Sequence, residues 1–271
     1  MRRALFALLL SPSALFCLFE LSPYFGKTWE FYLSPFYRLH TYPDVQGAVN
    51  PSSYSSTDHI LGGRLQVSFW PNWDGQVVYE AAKTDKLSWG TRSAAAMVRH
   101  LFLDDVQGDP VSLTLGGMLR YVPNRAQTDP STPYHATMNL EVGSAVGKEW
   151  SHLEQWLSRL FFYGGLGIGN RGAPYANTEL SYEGNWDDRV HGRIFTVGYF
   201  GFGARNQVNI GKMRGYANIA HHSIDIGGGI TFLSDRMGSF YSEYAYRVYA
   251  HAFPEHAHTL TLLYTFPFSI F

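Results

Sequence analysis

The chain is short of cysteine, of charge and of long hydrophobic runs, and each shortage removes a class of protein. A single cysteine, Cys17, lies near the N-terminus. One thiol excludes a disulfide framework and a multi-thiolate metal site. Charged residues make up 16% of the 271, against roughly 25% in ordinary soluble domains. Formal net charge is -1 and the pI is 6.8, so there is no basic surface for nucleic acid. No apolar run approaches the roughly 20 residues that a membrane-spanning helix needs. The mean hydropathy of -0.15 likewise excludes a bundle of membrane helices.

What is abundant is aromatic residues, at 16% with 18 Tyr and 19 Phe, and glycine, at 27. Few charges, many rings and middling hydropathy suit strands that show one face to lipid and the other to water. Period two dominates after residue 25. "LGGRLQVSFW" sets Leu61, Leu65, Val67 and Phe69 against Arg64, Gln66 and Ser68; "PN" then turns the chain into "WDGQVVYEA", where Trp73, Val77 and Tyr79 oppose Asp74, Gln76 and Glu80. "VSLTLGGMLRYV", "YHATMNLEV" and "EYAYRVYAH" repeat the alternation.

The spacing predicts about twelve strands, near 26–39, 58–70, 73–83, 88–103, 110–122, 133–146, 159–169, 177–185, 193–204, 219–233, 238–251 and 258–270. Connections after odd strands (40–57, 84–87, 123–132, 170–176, 205–218, 252–257) are polar and mostly longer, whereas those after even strands are mostly tight turns. "GKEWSHLEQWLSR", with Trp150, Leu153, Trp156 and Leu157, has helical spacing and predicts a short interfacial helix. An amide unpaired in hydrocarbon costs several kcal/mol, so spanning strands must close into a barrel. The expected fold is therefore all-β: an antiparallel transmembrane barrel of about twelve strands, both termini periplasmic. Trp29, Trp70, Trp73, Trp89, Tyr121, Tyr134 and Trp150 fall near strand ends, where rings favour the headgroup zone.

"MRRALFALLL" pairs two arginines with a short apolar run, the make-up of a secretory leader. It predicts a signal peptide over 1–22 and a barrel over 23–271. At the other end, "HTLTLLYTFPFSIF" resembles the closing strand of Gram-negative outer-membrane β-barrel proteins, whose assembly machinery recognises an aromatic-rich final strand ending in Phe, here Phe271. The resemblance is generic to that superfamily. It implies an outer-membrane location, with membrane lipids and the barrel-assembly machinery as partners. In one respect the chain departs from the pattern. Leu260, Leu262, Tyr264, Phe266, Phe268 and Ile270 share a face, while Phe271 has the parity of Thr265, Pro267 and Ser269; a bulge at Pro267 would shift the phase.

The barrel reading makes Arg64, Gln66, Glu80, Arg92, Arg120, His135, Glu141, Glu179, Glu183, Asp225, Glu243 and Arg247 lumen-lining residues of mixed sign, with Asp74 beside them. Three functions are open: a small channel or structural envelope protein, an outer-membrane lipid-acting hydrolase, and a surface adhesion or ligand-binding barrel using the 40–57 and 205–218 loops. For the hydrolase, "IAHHSIDIGGG" offers His221 and Ser223, but residues two apart on one strand are about 7 Å apart, too far for a direct hydrogen bond. "GLGIGNRG" matches the dinucleotide fingerprint, yet an alternating strand follows where the fingerprint needs a helix. "HAFPEHAH" gathers His251, Glu255, His256 and His258 without fixed ligand spacing. "DDVQGD" is a turn lacking the bidentate Glu of a calcium loop. No cofactor or metal is called for.

Overall fold

A computed structural model describes residues 19–152, 155–234 and 237–269. The alternation becomes twelve barrel strands: β1 Glu30–Tyr42, β2 Ser56–Trp70, β3 Trp73–Lys83, β4 Gly90–Leu103, β5 Ser112–Tyr121, β6 Met138–His152, β7 Gln155–Gly169, β8 Tyr175–Asn185, β9 Val190–Gly201, β10 His222–Ser234, β11 Gly238–His251 and β12 His258–Ser269. Each strand pairs antiparallel with its neighbours in sequence, and β1 pairs with β12 to close the barrel. Closure leaves no strand with an unpaired edge in lipid. At the seam Phe31 lies opposite Phe268 with their rings stacked at 5.4 Å, and Leu33 lies opposite Phe266.

Period two sorts the side chains. Leu115, Leu140, Val142, Leu166, Leu180, Ile194, Tyr244 and Phe266 are exposed on the outer wall, while their neighbours Thr114, Asn139, Glu141, Ser181 and Glu243 are buried in the bore. Trp29, Trp70, Trp73, Trp89, Tyr121 and Trp150 are exposed near strand ends. Tyr134 departs from that expectation. It is buried, and its hydroxyl donates to Glu80 Oε2 at 2.7 Å, so this ring belongs to the bore and not to the headgroup zone.

The helix expected across 147–159 is also corrected, because Gly147–His152 and Gln155–Arg159 extend β6 and β7. A register shift between Trp150 and Ser151 explains the misreading. One extra residue flips the facing of those beyond it and leaves the apolar positions at an apparently helical spacing. At the C-terminal strand the register runs evenly from Glu30–Ser269 through Tyr32–Pro267 to Thr41–His258, so no bulge forms at Pro267. Ile270 and Phe271 lie outside the described residues, as do residues 1–18 of the expected leader.

The two barrel ends differ. Turns after even strands are short, as at Pro71–Asn72; connections after odd strands include 43–55, 122–137 and 202–221. These longer connections fold over the bore. Ala48–Val49 pairs with Val208–Asn209, and Asp44–Val45 pairs with Pro254–Glu255. Val45, Val208, Ile210, Met213, Tyr216, Ile219 and Phe253 then pack on inward-facing Tyr175, Phe195, Val197 and Tyr199. An apolar cap closes the long-loop end.

Candidate functional site: the bore

Because alternate residues of every strand point inward, polar side chains from all sides meet in a narrow space. Near the short-turn end, Asp74 accepts from Arg99 Nε and Nη2 at 3.0 and 2.8 Å, from Gln76 at 2.9 Å and from Gln66 at 3.0 Å. Midway, Glu80 Oε2 accepts from Ser93 and Tyr134, and Arg120 Nη1 donates to Ser93 Oγ and to the Tyr134 hydroxyl. Glu141 accepts from Tyr163 at 2.7 Å and from Asn177 at 2.6 Å. Arg193 pairs with Glu179 and sits 3.8 Å from Glu183. Tyr241 donates to Glu243 at 2.6 Å. Under the cap Arg247 grips Asp225 with two nitrogens, at 2.7 and 2.9 Å. Charges taken out of water are tolerated where such partners satisfy them.

The twelve residues expected to line the lumen are therefore placed as follows. Glu80, Arg120, Glu141, Glu179, Asp225, Glu243 and Arg247 belong to the pairs just described, and Gln66 joins Asp74. Arg64 approaches Glu20 at 3.8 Å, Glu183 faces Arg193, and Arg92 donates to the Ser131 carbonyl at 2.8 Å. His135 differs in its setting, because β6 starts only at Met138 and His135 lies in the preceding connection. Its Nδ1 is 2.7 Å from the Tyr199 hydroxyl and its ring stacks on Tyr175 at 4.3 Å. Burial holds the His135 ring well below the usual histidine range, and holds His221 down at about 3. Both imidazoles are neutral there.

Sequence reasoning missed Arg38, Arg99, Arg159 and Arg193. Arg38 has the parity of Ser34 on β1, so its facing was readable; Arg193 shares its face with Phe195, Val197 and Tyr199, which hides the alternation. It also missed the N-terminal segment. Phe19, Glu20, Leu21 and Ser22, the last residues of the expected leader, are described and packed inside the bore, where Phe19 and Leu21 are buried.

Two spaces remain. One of about 290 Å³ lies toward the short turns, bordered by Arg38, Arg64, Arg159, Arg193, Glu183 and Glu243. A tighter one of about 60 Å³ lies under the cap, walled by Tyr134, Tyr163, Tyr175, Tyr199, Glu141 and Asn177. Phe19 and Glu20 border both.

The other motifs resolve into structure. Ser223 Oγ has no hydrogen-bond partner, and His221 Nδ1 turns to the Ile219 carbonyl at 2.9 Å. Both are buried at the capped end of the bore, so the candidate catalytic pair is not assembled and does not face lipid. Gly167 admits the Tyr175 ring where a Cβ would stand, and strand β8 follows the glycines. His256 and His258 meet the hydroxyls of Tyr246 and Tyr244. Asp104 caps a 3-10 turn that ends at Gly108, whose φ is +112°. Among the described residues no group of His, Cys, Asp and Glu has the arrangement of a metal site.

No protein-family model and no curated protein matches the sequence. Solved structures do match. The COG4313 outer membrane channel from Pseudomonas putida F1 superposes over 90% of this chain and 97% of its own, with a TM-score of 0.66 at 11% identity. The fold is that of outer-membrane β-barrels. The translocator domain of the autotransporter NalP from Neisseria meningitidis covers 90% of this chain and 89% of its own, at TM-score 0.46 and 11% identity. OprD from Pseudomonas aeruginosa covers 89% and 93%, at TM-score 0.41 and 8% identity.

Proposed function

We propose that this protein is a channel of the Gram-negative outer membrane with a narrow, charge-lined bore. The observation that carries the proposal is the pairing of an apolar outer wall with a polar interior in a closed twelve-strand barrel. Lipid accepts only the first and water only the second. The superposed Pseudomonas putida protein, itself an outer membrane channel, supports the same reading. In this conformation the loops cover one mouth and residues 19–22 pack inside the bore, so conduction requires the 202–221 and 122–137 connections and that segment to move. Planar-bilayer recording of the refolded protein tests this.

Three further assignments follow from that location. The short-turn end, where Glu30 and Ser269 pair, faces the periplasm with both termini. The final strand serves the barrel-assembly machinery. The leader ends before Phe19, because Phe19 and Leu21 fill apolar space in the bore, instead of at residue 22. Mass spectrometry of membrane-extracted protein should find a chain that starts between residues 17 and 19; an intact Met1 would exclude a cleaved leader.

A further inference from the structure

Residues 19–25 have no regular secondary structure, yet the bore holds them as a receptor holds a peptide. Gln76 on β3 bonds both backbone groups of Glu20: its Oε1 accepts from the Glu20 N–H at 2.8 Å and its Nε2 donates to the Glu20 carbonyl at 3.0 Å. That reciprocal pair is what a neighbouring strand would offer, and it reads backbone whatever the side chain. Arg99 Nη1 donates to the Ser22 carbonyl at 2.7 Å. Both readers are fixed beforehand, since Asp74 accepts from Gln76 and twice from Arg99.

Side chains are read as well. Glu20 faces Arg64, while Phe19 and Leu21 enter an apolar pocket with Met97, Met118, Ala145 and Tyr163. Phe25 lies under the Arg99 guanidinium at 4.9 Å, and Tyr24 under that of Arg159 at 4.4 Å. Aromatic faces attract these cations.

We propose that the bore contains a binding site for short extended peptides that carry an acidic residue between two apolar ones, and that residues 19–25 occupy it as a displaceable self-ligand. A peptide arriving through the short-turn mouth competes for Gln76, Arg99 and the Phe19 pocket. Peptide binding at equilibrium does not depend on whether the barrel conducts.

The test uses the N-acetylated, fluorescently labelled heptapeptide FELSPYF, the sequence of residues 19–25, and refolded full-length protein in detergent. In a variant with Phe19→Ser, Glu20→Ser and Leu21→Ser the self-ligand is weakened, and fluorescence anisotropy should show saturable peptide binding that exceeds the wild type's. Adding Gln76→Ala should weaken binding roughly tenfold, the effect of losing two backbone hydrogen bonds. Heat-modifiable gel migration reports that each variant is folded. A second measurement needs no variant: the same peptide with benzophenone in place of its first ring, in excess over wild-type protein, should crosslink to the fragment containing Met118. A weakened variant that binds no peptide, binding indifferent to Gln76→Ala, or crosslinks on the outer wall alone would overturn the proposal. A silent bilayer with peptide binding intact would instead count against the channel reading only.

Discussion

Arg247→Met removes one half of the most enclosed ion pair in the barrel, and its cost can be worked from the contacts. Arg247 and Asp225 are both fully buried. The guanidinium donates to both Asp225 oxygens, gives its remaining nitrogen to the Pro254 carbonyl at 3.0 Å, and lies over the Phe253 ring at 4.7 Å. Methionine keeps much of the volume, so cavity formation is a small part of the loss. The larger part is the Asp225 carboxylate, left charged and unsolvated beside the cap, and a broken buried pair of this kind costs about 3–5 kcal/mol. Converting Asp225 to Asn in the same chain removes the stranded charge and leaves a neutral amide short of partners, worth about 1–2 kcal/mol. The double variant should therefore be more stable than Arg247→Met alone by about 2–3 kcal/mol. Urea unfolding of the barrel in lipid vesicles, followed by tryptophan fluorescence, measures all members of the cycle. A loss below about 1 kcal/mol in Arg247→Met, or a double variant no better than the single, would refute the buried-pair reasoning.

Depth in the bilayer gives a second expectation. Leu180, outward at the centre of β8, should cost about 2–4 kcal/mol when changed to Arg, whereas Phe232→Arg, outward near the short-turn end of β10, should cost about 0–1 kcal/mol; equal costs in the vesicle assay would misplace the membrane. A third concerns pH. Burial holds His221 in the cap at about 3, below its unfolded value. The unfolded chain therefore binds the extra proton, and the stability present above pH 6.5 is lost as pH falls from there toward 3, by up to about 1.4 kcal/mol per unit. His221→Phe should flatten that fall in a stability-versus-pH series, and an unchanged slope would mean that the ring is solvated.

The strands were legible because lipid enforces a binary code. Where Leu113, Leu115 and Leu119 alternate with Ser112, Thr114 and Arg120, nothing but a half-buried strand fits. Their number, order and closing seam could all be read in this way. The code fails where the pleat does: the shifted register at Trp150 made two strands look helical. It also says nothing about loops. Val208, Ile210, Met213, Tyr216 and Ile219 are spread among glycine, lysine and asparagine with no period, and their burial as a cap follows from tertiary packing alone. The lumen charges could be placed from facing, yet their pairings could not, since Arg193 lies on a face that is otherwise aromatic and apolar. Residues 19–22 were hidden for another reason. The apolar character that fits Phe19 and Leu21 to the bore is the same character that a secretory leader has.

Unitary conductance in a planar bilayer bears most directly on the channel assignment. Wild-type protein refolded from detergent should give resolved current steps, and the steps should grow when residues 205–218 are replaced by a short Gly-Ser linker, because that connection carries Val208, Ile210, Met213 and Tyr216 of the cap. A folded barrel that stays electrically silent with the cap removed and Phe19, Glu20 and Leu21 changed to serine, so that the segment held in the bore is weakened too, would contradict it.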